Sequence, residues 1–182
     1  MSARIAPAAP PFALGIQKAL DATMPPGAPP LVLFTTLARD ERLFGKFFAG
    51  GLLDKGHLTL RQREIVIHRI TARSGSHYEF TVHMAFFGAR VGFGPAEFAA
   101  LAHGDGGDPC WSAEERALIA VCDALHDDCD VDDQTWAALA AHLAPEAMIE
   151  VLLVAGFYRT VSYLTNALRL PHEPFAPSYP AP

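Results

Sequence analysis

The chain has few cysteines and no cysteine pair. Cys110, Cys122 and Cys129 are the only three in 182 residues, and none stands in a Cys-x-x-Cys spacing. An odd, scattered set does not make a disulfide framework, and it offers no dithiol for redox exchange. A reducing cytoplasm is the expected compartment. Positive charge is also short: Lys and Arg number 14 against 20 Asp and Glu, a net charge of −6. With no basic stripe to neutralise phosphates, nucleic acid is not an expected partner. No apolar run is read as long enough to span a membrane, and the N-terminal MSARIAPAAPPFALG lacks the apolar region of a signal peptide. Strand alternation and hairpin turns are missing throughout. What is left is helix, with 51% hydrophobic residues, enough for one compact core.

Three regions are expected: a Pro/Ala-rich segment over 1–30 with a short helix, a helical domain over 31–170, and a proline-rich tail over 171–182. Residues 1–11 read as loose. Phe12 to Met24 has apolar positions at helical spacing. Pro25-Pro26-Gly27-Ala28-Pro29-Pro30 cannot be helical and reads as a stiff connector. One helix is expected from Leu31 to Ala49, closed by Gly50-Gly51. Further helices are expected from Pro95 to about Ala102, from Ser112 to about His126 behind a Ser112/Glu115 capping box, from Asp133 to His142 behind Asp132, and from Pro145 to about Leu168.

The stretch that organises the rest is TLRQREIVIHRITARSGSHYEFTVHMAFFGARVG, residues 59–92. It reads as two helices, 59–73 and 76–91, joined at Arg73-Ser74-Gly75, where Gly75 can take the positive φ that ends a helix. Thr59 and Gln62 form a capping box at the first start. Leu60, Ile65, Val66, Ile67 and Ile70 are too dense for one narrow stripe, so this helix should be buried on more than one side. Ser76 and Glu79 repeat the capping-box spacing. Glu64 and His68 share a face, as do Glu79 and His83.

On these residues the chain resembles the carboxymuconolactone decarboxylase and AhpD-like superfamily. RQREIVIHRITARSGSHYEFTVH carries the resemblance, which runs from about Leu31 to about Asn166. In the peroxidase branch the pattern is Glu, eleven residues, Cys-x-x-Cys, three residues, His. Glu64 and His83 match it, while Ser76 and Glu79 stand where the redox cysteines would be. The decarboxylase-type branch commonly has Glu where Glu79 stands, so this chain resembles the side of the family without thiols. The resemblance implies an all-α, AhpD-like bundle of six to eight helices around a central antiparallel pair. It also implies homo-oligomers (dimer, trimer or hexamer), a small-molecule substrate and no cofactor.

The expected catalytic residues are His83, Glu79 and Glu64, with Ser76, Tyr78, Phe80, Phe86 and Phe87 expected around the substrate. A His near two carboxylates favours its protonated form, and such a set exchanges protons near neutral pH. Decarboxylation would need this to protonate the carbanion left after carbon dioxide departs. Each residue also has a plainer reading. Ser76 and Glu79 can simply cap a helix, Glu64 can pair with Arg61 or Arg69, and a lone His on an apolar helix is usually structural. Tyr78 and Tyr158 read as core or pocket wall, and the cysteines as small hydrophobes. Two Glu-x-x-x-His pairs, one residue longer than the di-iron spacing, could still hold a divalent ion, but no third helix offers a matching pair, so no metal is expected. The competing functions are a peroxidase-related oxidoreductase and a non-catalytic binding or assembly protein. No positive residue in the motif is assured of facing a pocket, which leaves recognition of a carboxylate without a candidate.

Overall fold

The computed structural model describes residues 3–181. Among them are nine α-helices, a 3₁₀ turn and no strand. The helices are α1 (Leu14–Thr23), α2 (Val32–Leu37), α3 (Glu41–Gly50), α4 (Leu60–Arg73), α5 (His77–Phe87), α6 (Pro95–His103), α7 (Ala113–Asp127), α8 (Asp133–Ala140) and α9 (Pro145–Ala167). The 3₁₀ turn, Ala89–Val91, follows α5.

α4 is the central element and packs against α5, α6, α7 and α9. Every residue from Arg63 to Thr71 in it is buried, which explains why its apolar positions crowd the whole circumference. Burying one large aliphatic side chain contributes about 1.5–3 kcal/mol, and Ile65, Val66 and Ile67 are fully covered. The Thr59/Gln62 capping box is present: Gln62 Oε1 accepts from the Thr59 amide at 2.7 Å, and the Thr59 hydroxyl accepts from the Gln62 amide at 3.2 Å. At the other end Gly75 has φ +65°. The Ser76 amide donates to the Thr71 carbonyl at 2.8 Å, and the Gly75 amide to Ala72 at 2.9 Å. This paired closure is what an αL glycine permits, and it turns the chain back so that α5 lies against α4. Ser112 and Asp132 cap α7 and α9's neighbour α8 as expected.

Several boundaries differ from expectation. The single helix over 31–49 is two, α2 and α3, because Asp40 caps a new start by accepting from the Leu43 amide at 2.8 Å. That break folds α2 back on α3 and sets Phe34 against Phe48, the rings tilted with centroids 4.9 Å apart. The expected Ser76/Glu79 capping box does not form, and Ser76 makes no side-chain cap. Residues 3–11 are tied down rather than loose: the Arg4 amide donates to Leu168, the Ala8 amide to Thr35, and Arg39 to the Ala6 carbonyl. α9 is, by length and composition, long and apolar enough to cross a membrane, contrary to the sequence reading; half of its most apolar window is buried inside the fold.

The proline-rich tail is a strap. Glu173 is buried, and its carboxylate accepts from the Val32 amide at 2.5 Å, at the first turn of α2, and from the Tyr78 hydroxyl on α5. Phe175 packs on Phe86, and Tyr179 stacks on His77 with centroids 3.8 Å apart. One carboxylate thus fastens α2 to α5. Glu173→Ala leaves the Val32 amide and the Tyr78 hydroxyl without their acceptor, and an orphaned buried polar group costs about 1–3 kcal/mol. Urea unfolding of Glu173→Ala should show a loss of that order or somewhat more. An unchanged midpoint would mean that the strap does not hold the two helices.

Candidate active site

Glu64 sits in the middle of α4 with no solvent exposure. The reversal at Gly75 brings α5 alongside, and His83 Nδ1 lies 2.8 Å from Glu64 Oε2. On the other side of the ring His83 Nε2 lies 3.4 Å from Glu79 Oε1, one turn earlier on the same helix. The three residues form a row, carboxylate–imidazole–carboxylate. Arg63 adds a cation behind it, with Nε 4.0 Å from Glu64 Oε1, and is itself held by the Leu52 and Asp54 carbonyls at 3.4 and 3.1 Å. Arg61 and Arg69, the partners the sequence offered Glu64, pair instead with Glu115 and Asp123.

Burial alone would lower the His83 pKa. The charges of Glu64 and Glu79 and the hydrogen bonds to them outweigh it, and raise the value to about 9. His83 is therefore an imidazolium at neutral pH. With Arg63 it makes two positive charges against the two carboxylates, which is how so buried a set is tolerated. His68 behaves in the opposite way. It is fully buried, its Nδ1 donates to the Glu64 carbonyl at 2.8 Å, and burial lowers its pKa to about 4 despite the raising influence of Glu64. It is a neutral packing residue, edge-on to Phe80 at 4.7 Å.

The row borders a cavity of about 400 Å³. Glu79 and His83 lie on its wall, with Tyr158 of α9 edge-on to the His83 ring and Phe87 stacked on it, both at 5.1 Å. Burial pushes the Tyr158 phenol well above its ordinary pKa, so it is a neutral hydroxyl. Phe34, Phe47, Phe48, Phe86 and Phe157 supply aromatic lining, with aliphatic side chains such as Met24, Leu31 and Val161 beside them. Of the expected substrate-binding residues, Phe86 and Phe87 are on the wall. Ser76, Tyr78 and Phe80 are not. The Ser76 hydroxyl is paired with that of Thr165 at 2.7 Å, Tyr78 is committed to Glu173, and Phe80 is enclosed in the core. Glu64 stands behind His83 rather than on the wall. Helical spacing put all of these near one another, but which way each faced depended on neighbours from α2, α9 and the tail.

Among the wall residues outside the expected set are two with polar groups of note: Tyr158, read as core or wall, and Arg90, which lies beyond the end of α5 in the 3₁₀ turn. None of the three cysteines is on the wall. Among the described residues no group of three or more His, Cys, Asp or Glu side chains is arranged to hold a metal ion.

No family model and no curated protein matches the chain. Solved structures do. A peroxidase-related protein of unknown role with an alkylhydroperoxidase AhpD core, from Ralstonia eutropha JMP134, superposes with a TM-score of 0.81 at 18% identity over 94% of this chain and 92% of that one. A peroxidase-related protein from Silicibacter sp. TM1040 gives 0.81 at 16% identity over the same shares. A protein of unknown function from Agrobacterium tumefaciens gives 0.58 at 18% identity, over 71% of this chain and 84% of that one. The fold is AhpD-like.

The two histidines set opposite limits on stability. His68 has a folded pKa below the ordinary 6.5, so the unfolded chain alone binds its proton between about pH 6.5 and 4, and stability falls as pH drops through that range. His83 has a folded pKa above it, so stability is fully present below about 6.5 and is lost as pH rises toward 9. Unfolding free energies measured from pH 5 to 9 should decline on the alkaline side in the wild type, and His83→Gln should flatten that alkaline limb. An alkaline limb identical in both proteins would mean that the imidazolium is not held by Glu64 and Glu79.

Proposed function

We propose that the cavity is the active site of a small-molecule enzyme that transfers protons at carbon, in the manner of the decarboxylase-type branch. The observation that carries this reading is the charged row Glu64–His83–Glu79 set at the edge of an apolar cavity. Glu79 and His83 are the groups that meet the substrate. The His83 imidazolium supplies the proton, directly from Nε2 or through Glu79, to the carbanion or dienolate left when carbon dioxide departs. Glu64 holds Nδ1 and fixes the orientation of the ring. The surrounding phenylalanines exclude water, which strengthens the electrostatics inside and protects the intermediate. The proton is regained from solvent through the cavity mouth.

The peroxidase-related alternative finds less support. A thiol mechanism needs a nucleophilic cysteine in reach of the peroxide, and Cys110, Cys122 and Cys129 all lie off the cavity wall. A binding or assembly protein on the same scaffold remains the competing reading; it would need the row only as a satisfied structural network.

Glu79→Gln separates the two. It keeps the shape and removes the exchangeable charge, so turnover should fall about 10²–10⁴-fold with thermal stability within a few degrees. His83→Ala is less discriminating, because it leaves Glu64 buried with its main partner gone, at a cost of about 3–5 kcal/mol. The assay is carbon dioxide release from a panel of lactone acids and unsaturated carboxylic acids, with dithiol-dependent peroxide reduction run alongside. A wild type inert toward the whole panel, or Glu79→Gln as active as wild type, would sink the proton-transfer reading. Robust peroxide reduction would favour the alternative.

We also propose that the chain forms homo-oligomers. Phe44, Phe47 and Phe48 are turned inward or onto the cavity. Exposed large apolar side chains are scattered over the surface, but α9 carries a run of them, Ile149, Leu152, Leu153 and Tyr163, an apolar patch of the kind that marks an interaction surface. Sedimentation velocity at micromolar concentration should find a dimer or larger, reduced to monomer by Leu153→Glu. A wild-type monomer would contradict this.

A further inference from the structure

Among the side chains of the cavity wall, hydrogen-bond donors are few: Thr23, His83, Arg90 and Tyr158. The Thr23 hydroxyl donates to the Ala19 carbonyl at 2.8 Å. His83 has Glu64 Oε2 at 2.8 Å from one ring nitrogen and Glu79 Oε1 at 3.4 Å from the other, and its proton is the one that goes to carbon. Arg90 is exposed and makes no ion pair with another described residue. Its guanidinium sits over the Phe87 ring, 5.3 Å from the centroid. Tyr158 is different. Only 3% of it is exposed, and a buried tyrosine hydroxyl usually has a partner. The other buried tyrosine, Tyr78, donates to Glu173 and accepts from the Leu33 amide at 3.2 Å. The Tyr158 hydroxyl makes no hydrogen bond with a described residue. Nor is it sealed in the core, as the unpartnered Trp111 Nε1 is. It opens onto the cavity, where its ring stands edge-on to His83 at 5.1 Å.

We infer that Tyr158 is a catalytic residue, whose hydroxyl holds the substrate oxygen that takes up negative charge while His83 and Glu79 act at carbon. This rests on the proton-transfer reading of the cavity. When the bond to the carboxyl carbon breaks, carbon dioxide leaves and the bonding pair stays on the substrate. A conjugated carbonyl accepts that pair and becomes an enolate. Its oxygen takes a hydrogen bond from Tyr158, which keeps its own proton. His83 then passes its proton to the carbon, the pair forms the new C–H bond, and the carbonyl is restored. A donor already aimed at the place where charge develops binds the transition state more strongly than the ground state. The apolar wall strengthens the bond further. Burial and the carboxylates of Glu79 and Glu64 keep the phenol neutral, so it is a donor throughout the range in which His83 is charged. The feature selected is therefore a carbonyl conjugated with the carbon that loses carbon dioxide. An unsaturated acid without one gives Tyr158 nothing to hold.

Binding and turnover test this separately. 4-Fluoroacetophenone and 4-fluoro-α-methylstyrene share one outline, the second with a methylene in place of the carbonyl oxygen. Both are small beside the space of about 400 Å³. Isotope-edited infrared spectra of the ketone should show its carbonyl stretch at lower frequency in the wild type than in hexane, and Tyr158→Phe should return it to the hexane position. In fluorine NMR titrations Tyr158→Phe should bind the ketone about two- to tenfold more weakly, the effect of one hydrogen bond, and the alkene as before. On any acid of the panel that the wild type decarboxylates, Tyr158→Phe should lower kcat about 10²–10³-fold with KM little changed. Its melting temperature should match the wild type, since no protein group loses a partner. Tyr78→Phe, which removes a partner of Glu173, should melt lower and keep the lowered band. Glu79→Gln should stop turnover and keep the lowered band, so failure of the oxygen site and failure of the proton-transfer reading give different results. A ketone that does not bind at millimolar concentration, a wild-type stretch at the hexane position, or an unchanged kcat in Tyr158→Phe would each overturn the assignment. So would a lowered band that survives Tyr158→Phe, which would give the oxygen to His83.

Discussion

The buried carboxylate of Glu64 is the constraint around which the rest is arranged. A charge with no solvent exposure costs several kcal/mol after relaxation unless it is paired and hydrogen-bonded, and α4 itself offers only Arg63 at 4.0 Å, with Ile65, Val66 and Ile67 beside it. The close hydrogen-bonded partner comes from another element. His83 of α5 supplies it at 2.8 Å, and that is possible only because the chain reverses at Gly75. One glycine conformation, one ion pair and one helix packing are therefore interdependent. Replacing the glycine strains the reversal, and removing the histidine strands the charge.

The same reversal creates the cavity. With α5 fixed against α4, the Glu79 and His83 side chains face the space left between α5, α9 and the α2–α3 pair. α9 closes one side with Phe157 and Tyr158; Phe34, Phe47 and Phe48 close another. Two further buried carboxylates hold the outer parts in place. Glu173 fastens α2 to α5, and Glu150 on α9 accepts from the His57 amide at 2.5 Å, which anchors the loop carrying Gly51 and Leu53 to the wall. The AhpD-like fold seen in the peroxidase-related structures is here held by these buried carboxylates. Where the resemblance would place redox cysteines stand Ser76, a hydroxyl turned into the core, and Glu79, a carboxylate facing the cavity.

The sequence by itself determined the helical class, the central pair and which of its charged residues share a helix face. These are short-range matters: capping boxes at Thr59 and Ser112, a positive φ at Gly75, and the four-residue spacing of Glu79 and His83 are all encoded within a turn or two. The density of apolar positions in α4 likewise announced a helix covered on all sides. Tertiary structure alone decided which polar groups face the cavity. Ser76, Tyr78 and Phe80 share the motif with Glu79 and His83, yet Thr165, Glu173 and a packed core claim them. Their partners lie 89 and 95 residues away for the first two, so no local pattern could have assigned them. Arg90 was legible only as a charge near a helix end, because its freedom from ion pairs depends on where every acidic side chain has gone. Local spacing fixes the face of a helix on which a side chain stands; only the packing of distant segments decides whether that face meets protein or open space.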